Sequence, residues 1–245
     1  MSAQQTLPEV IFAHSGPAVR SSSIPTNRLP LPREQALPTE SRTYEVGKRI
    51  FDTCLVFLLL PIAVPMMVLI GIAIGLTSGW PLVYSQRRVG RHGRPFTIWK
   101  FRTMHPAGER ILSAHFERYT QARVEWQVTR KLRYDPRITP IGRMLRRTSL
   151  DEIPQIFNVL VGEMSFVGPR PIVRKEIRKY GESFSYYLAA RPGITGLWQT
   201  SGRSTLSYDA RVILDEMYVR HWTLQADLRI LLKTPRAVFR CSEAC

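Results

Sequence analysis

The sequence predicts an α+β, mostly helical protein: a re-entrant membrane helix hairpin, then a cytoplasmic domain with a short β-hairpin and interfacial amphipathic helices. Three observations lead there. An uncharged apolar run of membrane length extends from Thr53 to Leu76. Apolar residues recur at helical spacing through much of the remainder. The 245-residue chain carries a net charge of +16, with basic residues crowded on both flanks of the apolar run. An apolar content of 44% suffices for a core, and a positive excess suits an anionic partner, either a phosphorylated substrate or an anionic membrane face. Nucleic acid is disfavoured, because aromatic and basic residues are not interleaved along one face and the charges gather beside the membrane segment. Cys54, Cys241 and Cys245 have no metal-ligand spacing, and three cysteines make no disulfide framework.

Residues 1–42 are rich in Pro, Ser, Thr and Gln without a sustained apolar period, so they read as a disordered tail, and they lack the order of a secretory signal. Residues 43–78 form the membrane hairpin. Pro61 and Pro65 each remove a backbone donor inside the apolar run and bend it near its middle. Arg42, Lys48 and Arg49 precede the run, and Arg87, Arg88, Arg91, Arg94, Lys100 and Arg102 follow it. Positive flanks stay cytoplasmic, so a straight crossing would misplace one of them, whereas a helix that enters and leaves on one side satisfies both. Lys48 and Asp52, four residues apart on one helical face, then fall at the membrane interface.

The domain occupies residues 79–240. Leu82 to Gln86 and Phe96 to Met104 alternate weakly around a turn-rich Val89 to Pro95, a β-hairpin pattern. Arg110 to Leu132 has helical spacing and reads as a surface helix. Arg174 to Leu188 is a polar helix candidate. Gly193, Gly196 and Gly202, flanked by Arg191 and Arg203, mark a turn-dense segment that could meet a phosphate, although it matches no nucleotide fingerprint. Ser207 to Trp222 and Leu224 to Phe239 are amphipathic; Trp222, Arg229, Lys233 and Arg236 suit a headgroup boundary, and packing on the core is the alternative. Residues 241–245 form a short tail.

The chemistry-bearing stretch is Arg143 to Pro171. Asp151 and Glu152 sit side by side after Arg143, Arg146 and Arg147 and before an apolar run, Ile153 to Val161, expected to be helical. A carboxylate pair can hold Mg²⁺, either carboxylate can attack phosphorus, and arginines neutralise phosphate oxygens. Ser149 to Glu152 also spells a helix-capping box, which needs no chemistry at all. With Ser149 as the cap, Pro154 falls too deep in the helix; with Asp151 as the cap, it falls in the first turn.

The chain resembles the small bacterial polyprenyl-phosphate hexose-1-phosphate transferases, the monotopic phosphoglycosyl transferases that start exopolysaccharide assembly. The likeness is collinear from Lys48 to Phe239. It is carried by Lys48 to Asp52, Lys100 to Met104, Ser149 to Glu152 with Gln155 and Asn158, Gly162 to Pro171, and Arg191 to Gly196. Through Glu125 to Leu132 the chain is most similar to the rhizobial members that transfer galactose-1-phosphate. The resemblance implies that residues 79–240 are a cytoplasmic catalytic domain. It implies that Asp151 attacks the β-phosphorus of a UDP-hexose, that UMP leaves, and that undecaprenyl phosphate takes the sugar phosphate. Glu152 and Mg²⁺ would assist, with Asp151 and Glu152 as the metal's protein ligands, while Lys100, Arg146 and Arg170 match phosphate-contacting positions. Partners so implied are the UDP-hexose, undecaprenyl phosphate, anionic inner-membrane lipids and downstream glycosyltransferases. The chain departs from its relatives at the bend, where Val64-Pro65 with an extra Pro61 replaces the usual Ser-Pro. A non-catalytic basic membrane adaptor is the rival reading; it leaves the carboxylate pair beside Gly168 to Pro171 unexplained.

Overall fold

The computed structural model describes residues 36–129, 132–202 and 205–240. Most of the predicted tail, residues 1–35, and the terminal residues 241–245 lie outside these. The last residues assigned to the N-terminal tail are ordered: Leu37 packs on the core, Thr39 is buried, and Pro38–Glu40 forms a 3-10 turn. Ser41 then caps the long helix α1, Arg42–Ser78, its hydroxyl accepting from the Tyr44 amide at 3.1 Å.

At 37 residues, α1 is the one helix among the described residues long and apolar enough to cross a membrane by length and composition. It differs from the predicted hairpin in being one continuous helix, with no turn between two arms. Pro61 and Pro65 lie inside it and are exposed on its outer face. Each proline costs one backbone hydrogen bond and favours bending away from its own side. The inner face holds the helix together through this stretch. Tyr44, Lys48, Asp52, Val56, Ile70 and Ile74 are buried at helical spacing, with Leu59, Ala63 and Met67 packed between. Burial of each large apolar side chain contributes about 2 kcal/mol, comparable to what one proline takes away. The opposite face is uncovered: Phe57, Leu58, Ile62 and Leu69 are all more than three-fifths exposed.

Lys48 and Asp52 share a face as predicted, but that face is the core rather than the membrane interface. Lys48 Nζ donates to Asp227 Oδ2 at 2.6 Å with both side chains fully buried. Trp222 Nε1 donates to the same carboxylate at 3.0 Å. Asp52 Oδ1 accepts from the Ser165 hydroxyl at 3.0 Å and the Phe166 amide at 3.1 Å. Buried charges need such partners, and these tie α1 to the domain along its first half. Two flanking arginines also act on backbone. Arg49 donates to the Val159 and Leu160 carbonyls, and Arg102 Nη2 donates to those of Ser78 and Gly79 at 2.6 Å each, closing the C-terminus of α1.

After α1, β1 (Val83–Val89) and β2 (Pro95–Phe101) form the expected antiparallel hairpin, Val83 opposite Phe101 and Val89 opposite Pro95. The strand ends at Phe101, short of the predicted Met104, because Arg102 and Thr103 turn away to hold α1 and α4. The single helix predicted from Arg110 is two, α2 (Gly108–Arg118) and α3 (Thr120–Thr129), broken where Tyr119 is extended. Arg130 and Lys131 of the rhizobial-like segment lie outside the described residues. Next come α4 (Pro140–Thr148), a 3-10 turn (Leu150–Gln155), α5 (Ile156–Val161) and β3 (Ser165–Val167). The helix predicted over Arg174 to Leu188 is split into α6 (Ile177–Tyr180) and α7 (Phe184–Ala189), because Gly181 takes φ +51°.

β4 (Gly193–Thr195) pairs in parallel with β3, and α8 (Leu197–Ser201), α9 (Tyr208–Arg220) and α10 (Leu224–Arg240) complete the chain. Trp222 is not at a headgroup boundary; it is 8% exposed and meets the Tyr44 ring edge-on at 4.8 Å. Arg229, Lys233 and Arg236 are exposed on α10, together with Leu224, Leu228 and Leu232.

Candidate active site

Asp151 and Glu152 are held by the junction of α4 with the 3-10 turn. Thr139 caps α4, and Gly142 lets it approach the strand side: a Cβ there would stand 2.1 Å from the Thr103 carbonyl oxygen. That contact brings Arg146 Nε to the Thr103 hydroxyl at 2.8 Å. Ser149 ends α4 in the left-handed region, φ +57°, and its side chain makes no N-cap bond to the following turn, so the predicted capping box is not formed. A non-glycine residue in this conformation costs on the order of 1 kcal/mol. It swings the chain so that Asp151 and Glu152 open a tight turn against β2. The apolar run predicted as a helix from Ile153 is 3-10 through Gln155 and α-helical only from Ile156.

Asp151 is 9% exposed. Its carboxyl is pushed up to about 6, first by burial and then by the neighbouring Glu152, against the lowering pull of Lys100 and Arg146. Glu152 Oε1 accepts from Lys100 Nζ, both side chains being mostly buried. Residues three apart eclipse in a 3-10 turn. Asp151 therefore shares an edge with Pro154, and Glu152 with Gln155.

On the Glu152 side lies a small enclosed polar pocket, lined by Lys100, Glu152, Gln155, Arg170, Arg88 and Gln199 among others. Three of its buried polar atoms, Arg88 Nε, Gln155 Nε2 and Gln199 Oε1, meet no hydrogen-bond partner among the described residues. Gln155 is 1% exposed, so its amide is desolvated and unsatisfied, an arrangement that costs about 1–3 kcal/mol unless a ligand fills it. Burial, and after it the nearby Arg170, lowers Arg88. Arg170 itself is exposed, 5.9 Å from the Trp198 ring centroid.

The Gly168 to Pro171 and Arg191 to Gly196 segments form the floor. Gly168 N–H donates to the Thr195 carbonyl at 2.9 Å and Gly193 N–H to that of Pro169 at 2.8 Å. A Cβ on Gly193 would lie 2.1 Å from the Gly168 nitrogen. Close backbone approach, rather than unusual dihedrals, is what those glycines supply.

The structure thus gathers Lys100, Glu152 and Arg170 around one pocket and sets Asp151 and Arg146 beside it. Pro61 and Pro65 are in α1, and Lys48 and Asp52 serve its attachment. Sequence reasoning missed Arg88, seen only as a flanking charge, and Gln199. Gln155 was visible in the motif, three residues after Glu152. Among the described residues no cluster of three or more His, Cys, Asp or Glu side chains could hold a metal. Magnesium often takes only one or two carboxylates and completes its shell with substrate phosphates and water, and Asp151 and Glu152 are the adjacent carboxylates of this site.

The fold and site define a domain fastened to a long apolar helix, with a buried Asp151 and a partly buried Glu152 among cations. The family described as Bacterial sugar transferase matches residues 43–241. The chain is 48% identical over 193 residues to "Undecaprenyl-phosphate galactose phosphotransferase" of Salmonella typhimurium, covering 79% of this chain and 40% of that protein. It is 45% identical over 193 residues to "Exopolysaccharide production protein ExoY" of Rhizobium meliloti, covering 79% and 85%. It is 36% identical over 197 residues to "UDP-glucose:undecaprenyl-phosphate glucose-1-phosphate transferase" of Klebsiella pneumoniae, covering 77% and 39%. The chain belongs to the bacterial sugar transferase family.

Proposed function

We propose that the protein transfers a hexose-1-phosphate, galactose-1-phosphate in the first instance, from a UDP-hexose to undecaprenyl phosphate at the cytoplasmic face of the inner membrane, opening exopolysaccharide assembly. The observation that carries this reading is Asp151: a buried carboxyl raised to about 6, with Glu152 beside it and Lys100 and Arg146 acting on it. Burial makes the carboxylate more basic and a stronger nucleophile, yet it is still mostly ionised at pH 7. The names of the relatives from Salmonella and Klebsiella supply the donor and acceptor classes.

In the first step an Asp151 oxygen bonds to the β-phosphorus while the bond to the bridging oxygen breaks, and UMP departs with that electron pair. The hexosyl phosphate remains on Asp151. In the second step an oxygen of the lipid phosphate attacks the same phosphorus and the Asp151 carboxylate leaves. Lys100, Arg146 and Arg170 offset the charge that accumulates on the phosphoryl oxygens. Mg²⁺ held by Asp151 and Glu152, when bound, neutralises part of the diphosphate charge.

Membrane attachment follows from α1. Its uncovered face is apolar, while its two ends are bonded to one body, through Lys48 and Asp52 at the start and Arg102 at the close. That arrangement supports entry and exit on one side, with Pro61 and Pro65 bending α1 around the domain, and anionic lipids meeting Arg229, Lys233 and Arg236. Downstream glycosyltransferases would extend the lipid-linked product. The test is purified full-length protein in detergent with UDP-galactose, UDP-glucose and undecaprenyl phosphate, reading UMP. Release with UDP-galactose is expected; none with any UDP-hexose would leave the adaptor reading.

A further inference from the structure

A second cavity lies across β2 from the polar pocket. It is an open groove of about 940 Å³, within the size range of ligand sites. One wall is a stripe of α1, Val64, Val68, Ile72 and Leu76 with Gly71 and Gly75; the other is built from Trp80, Leu82, Val83, Trp99 and Phe101; Pro154 and Phe157 complete it. Among the described residues no charged side chain lines it. Much of this wall is uncovered, Trp80 at 76% and Leu76 at 84% exposure.

Its position relative to Asp151 is the telling feature. Side chains alternate across a strand, so Trp99 and Phe101 face the groove while Lys100 between them faces the polar pocket. The 3-10 turn divides in the same way: Glu152 and Gln155 line the polar pocket, whereas Pro154, on the edge shared with Asp151, lines the groove. One strand and one turn therefore separate a cationic compartment from an apolar channel continuous with the uncovered side of α1, and Asp151 belongs to that turn.

We infer that this groove holds the isoprenoid tail of the acceptor and brings its phosphate to the turn that carries Asp151. A ligand with an anionic head and a long apolar tail fits both the uncharged lining and the cations beyond Pro154. The inference rests on the proposed transfer for the head group's role. Glycines at 71 and 75 keep the channel open, since a Cβ at either would only reach Leu82 at 3.5 Å and anything larger would enter the groove.

The test uses full-length protein and undecaprenyl phosphate carrying a diazirine in its tail. Label is expected on peptides containing Ile72, Trp80 to Val83 and Phe157, displaced by unlabelled undecaprenyl phosphate and not by phosphatidic acid. Labelling elsewhere, or equal displacement by phosphatidic acid, would overturn the assignment. Kinetics add a second reading. Ile72→Glu and Val83→Trp, on opposite walls, should each lower the preference for a C55 over a C10 prenyl phosphate, as a ratio of kcat/KM, by tenfold or more; an unaltered ratio in both variants would also overturn it. If wild-type protein releases no UMP, the proposed chemistry fails, and the labelling pattern alone then decides the groove.

Discussion

Replacing Lys100 by methionine keeps the length of the side chain and removes its charge. Lys100 Nζ is bonded to Glu152 Oε1 and is first among the charges that lower Asp151. Loss of one charge-assisted contact to the donor phosphates should cost about 1.5–3 kcal/mol, which is roughly 10- to 150-fold in kcat/KM. A second effect is separable because it depends on pH. On the proposed mechanism Asp151 attacks only when ionised, so the first half-reaction should rise with pH and level off above about 6. At pH 7 about nine-tenths of wild-type Asp151 carries charge. Without Lys100, burial and Glu152 act with less opposition, and the limb should move up. At pH 7 a smaller fraction of the variant than of wild type would then be ionised, a further deficit that shrinks as pH rises. The assay is the UMP burst from UDP-galactose without acceptor, between pH 5 and 9. A limb that stays at about 6 or moves down, whatever the rate, would refute this account of how Lys100 acts.

Three further outcomes follow from other parts of the molecule. Lys48→Met leaves Asp227 charged and buried, so unfolding free energy should fall by about 3–5 kcal/mol in denaturant titration; a loss under 1 kcal/mol would mean that the pair does not fasten α1. Asp215 is raised to about 8 by burial, against the lowering effect of Tyr180 and Arg170. The folded state then holds its proton between about pH 4 and 8 while the unfolded chain releases it, so stability should decline as pH rises through that window and level off above it. Asp215→Asn removes this decline, and its Tm advantage over wild type should be larger at pH 8 than at pH 5; an advantage that shrinks with pH would contradict the burial argument. Cysteine tags at residue 40 and after residue 239 should both be protected from a membrane-impermeant thiol reagent added to intact spheroplasts, and labelling of either would establish a crossing helix.

Local pattern carried the sequence reading where a feature depends on spacing alone. The apolar length of α1, the β-hairpin, α9 and α10 were all legible from periodicity, and the carboxylate pair from its motif. The failures share a physical cause. Lys48, Asp52 and Trp222 resemble interfacial residues in a one-dimensional reading, since nothing local reveals Asp227, Ser165 or Tyr44 as their partners. Those contacts join residues more than a hundred positions apart, or reverse the face on which an amphipathic helix is buried. Arg88 was hidden likewise: in sequence it is one of several flanking arginines, and only the register of β1 on β2 brings it to the pocket. Gly193 and Gly196 were noticed for dihedral freedom, whereas their role is close backbone approach to Gly168, which no single segment discloses. The capping box is not formed because Ser149 closes α4 in the left-handed region instead of taking the extended conformation of an N-cap.

The central claim is that Asp151 carries the sugar phosphate. Protein incubated with UDP-galactose in the absence of lipid acceptor, quenched in acid and digested at once, can be examined by mass spectrometry for the peptide containing Asp151. A hexosyl-phosphate adduct on that residue is expected, formed in step with the UMP burst, lost on addition of undecaprenyl phosphate and missing from Asp151→Asn. An unmodified peptide, with UMP released only when the acceptor is present, would contradict the claim and leave direct attack by the lipid phosphate in its place.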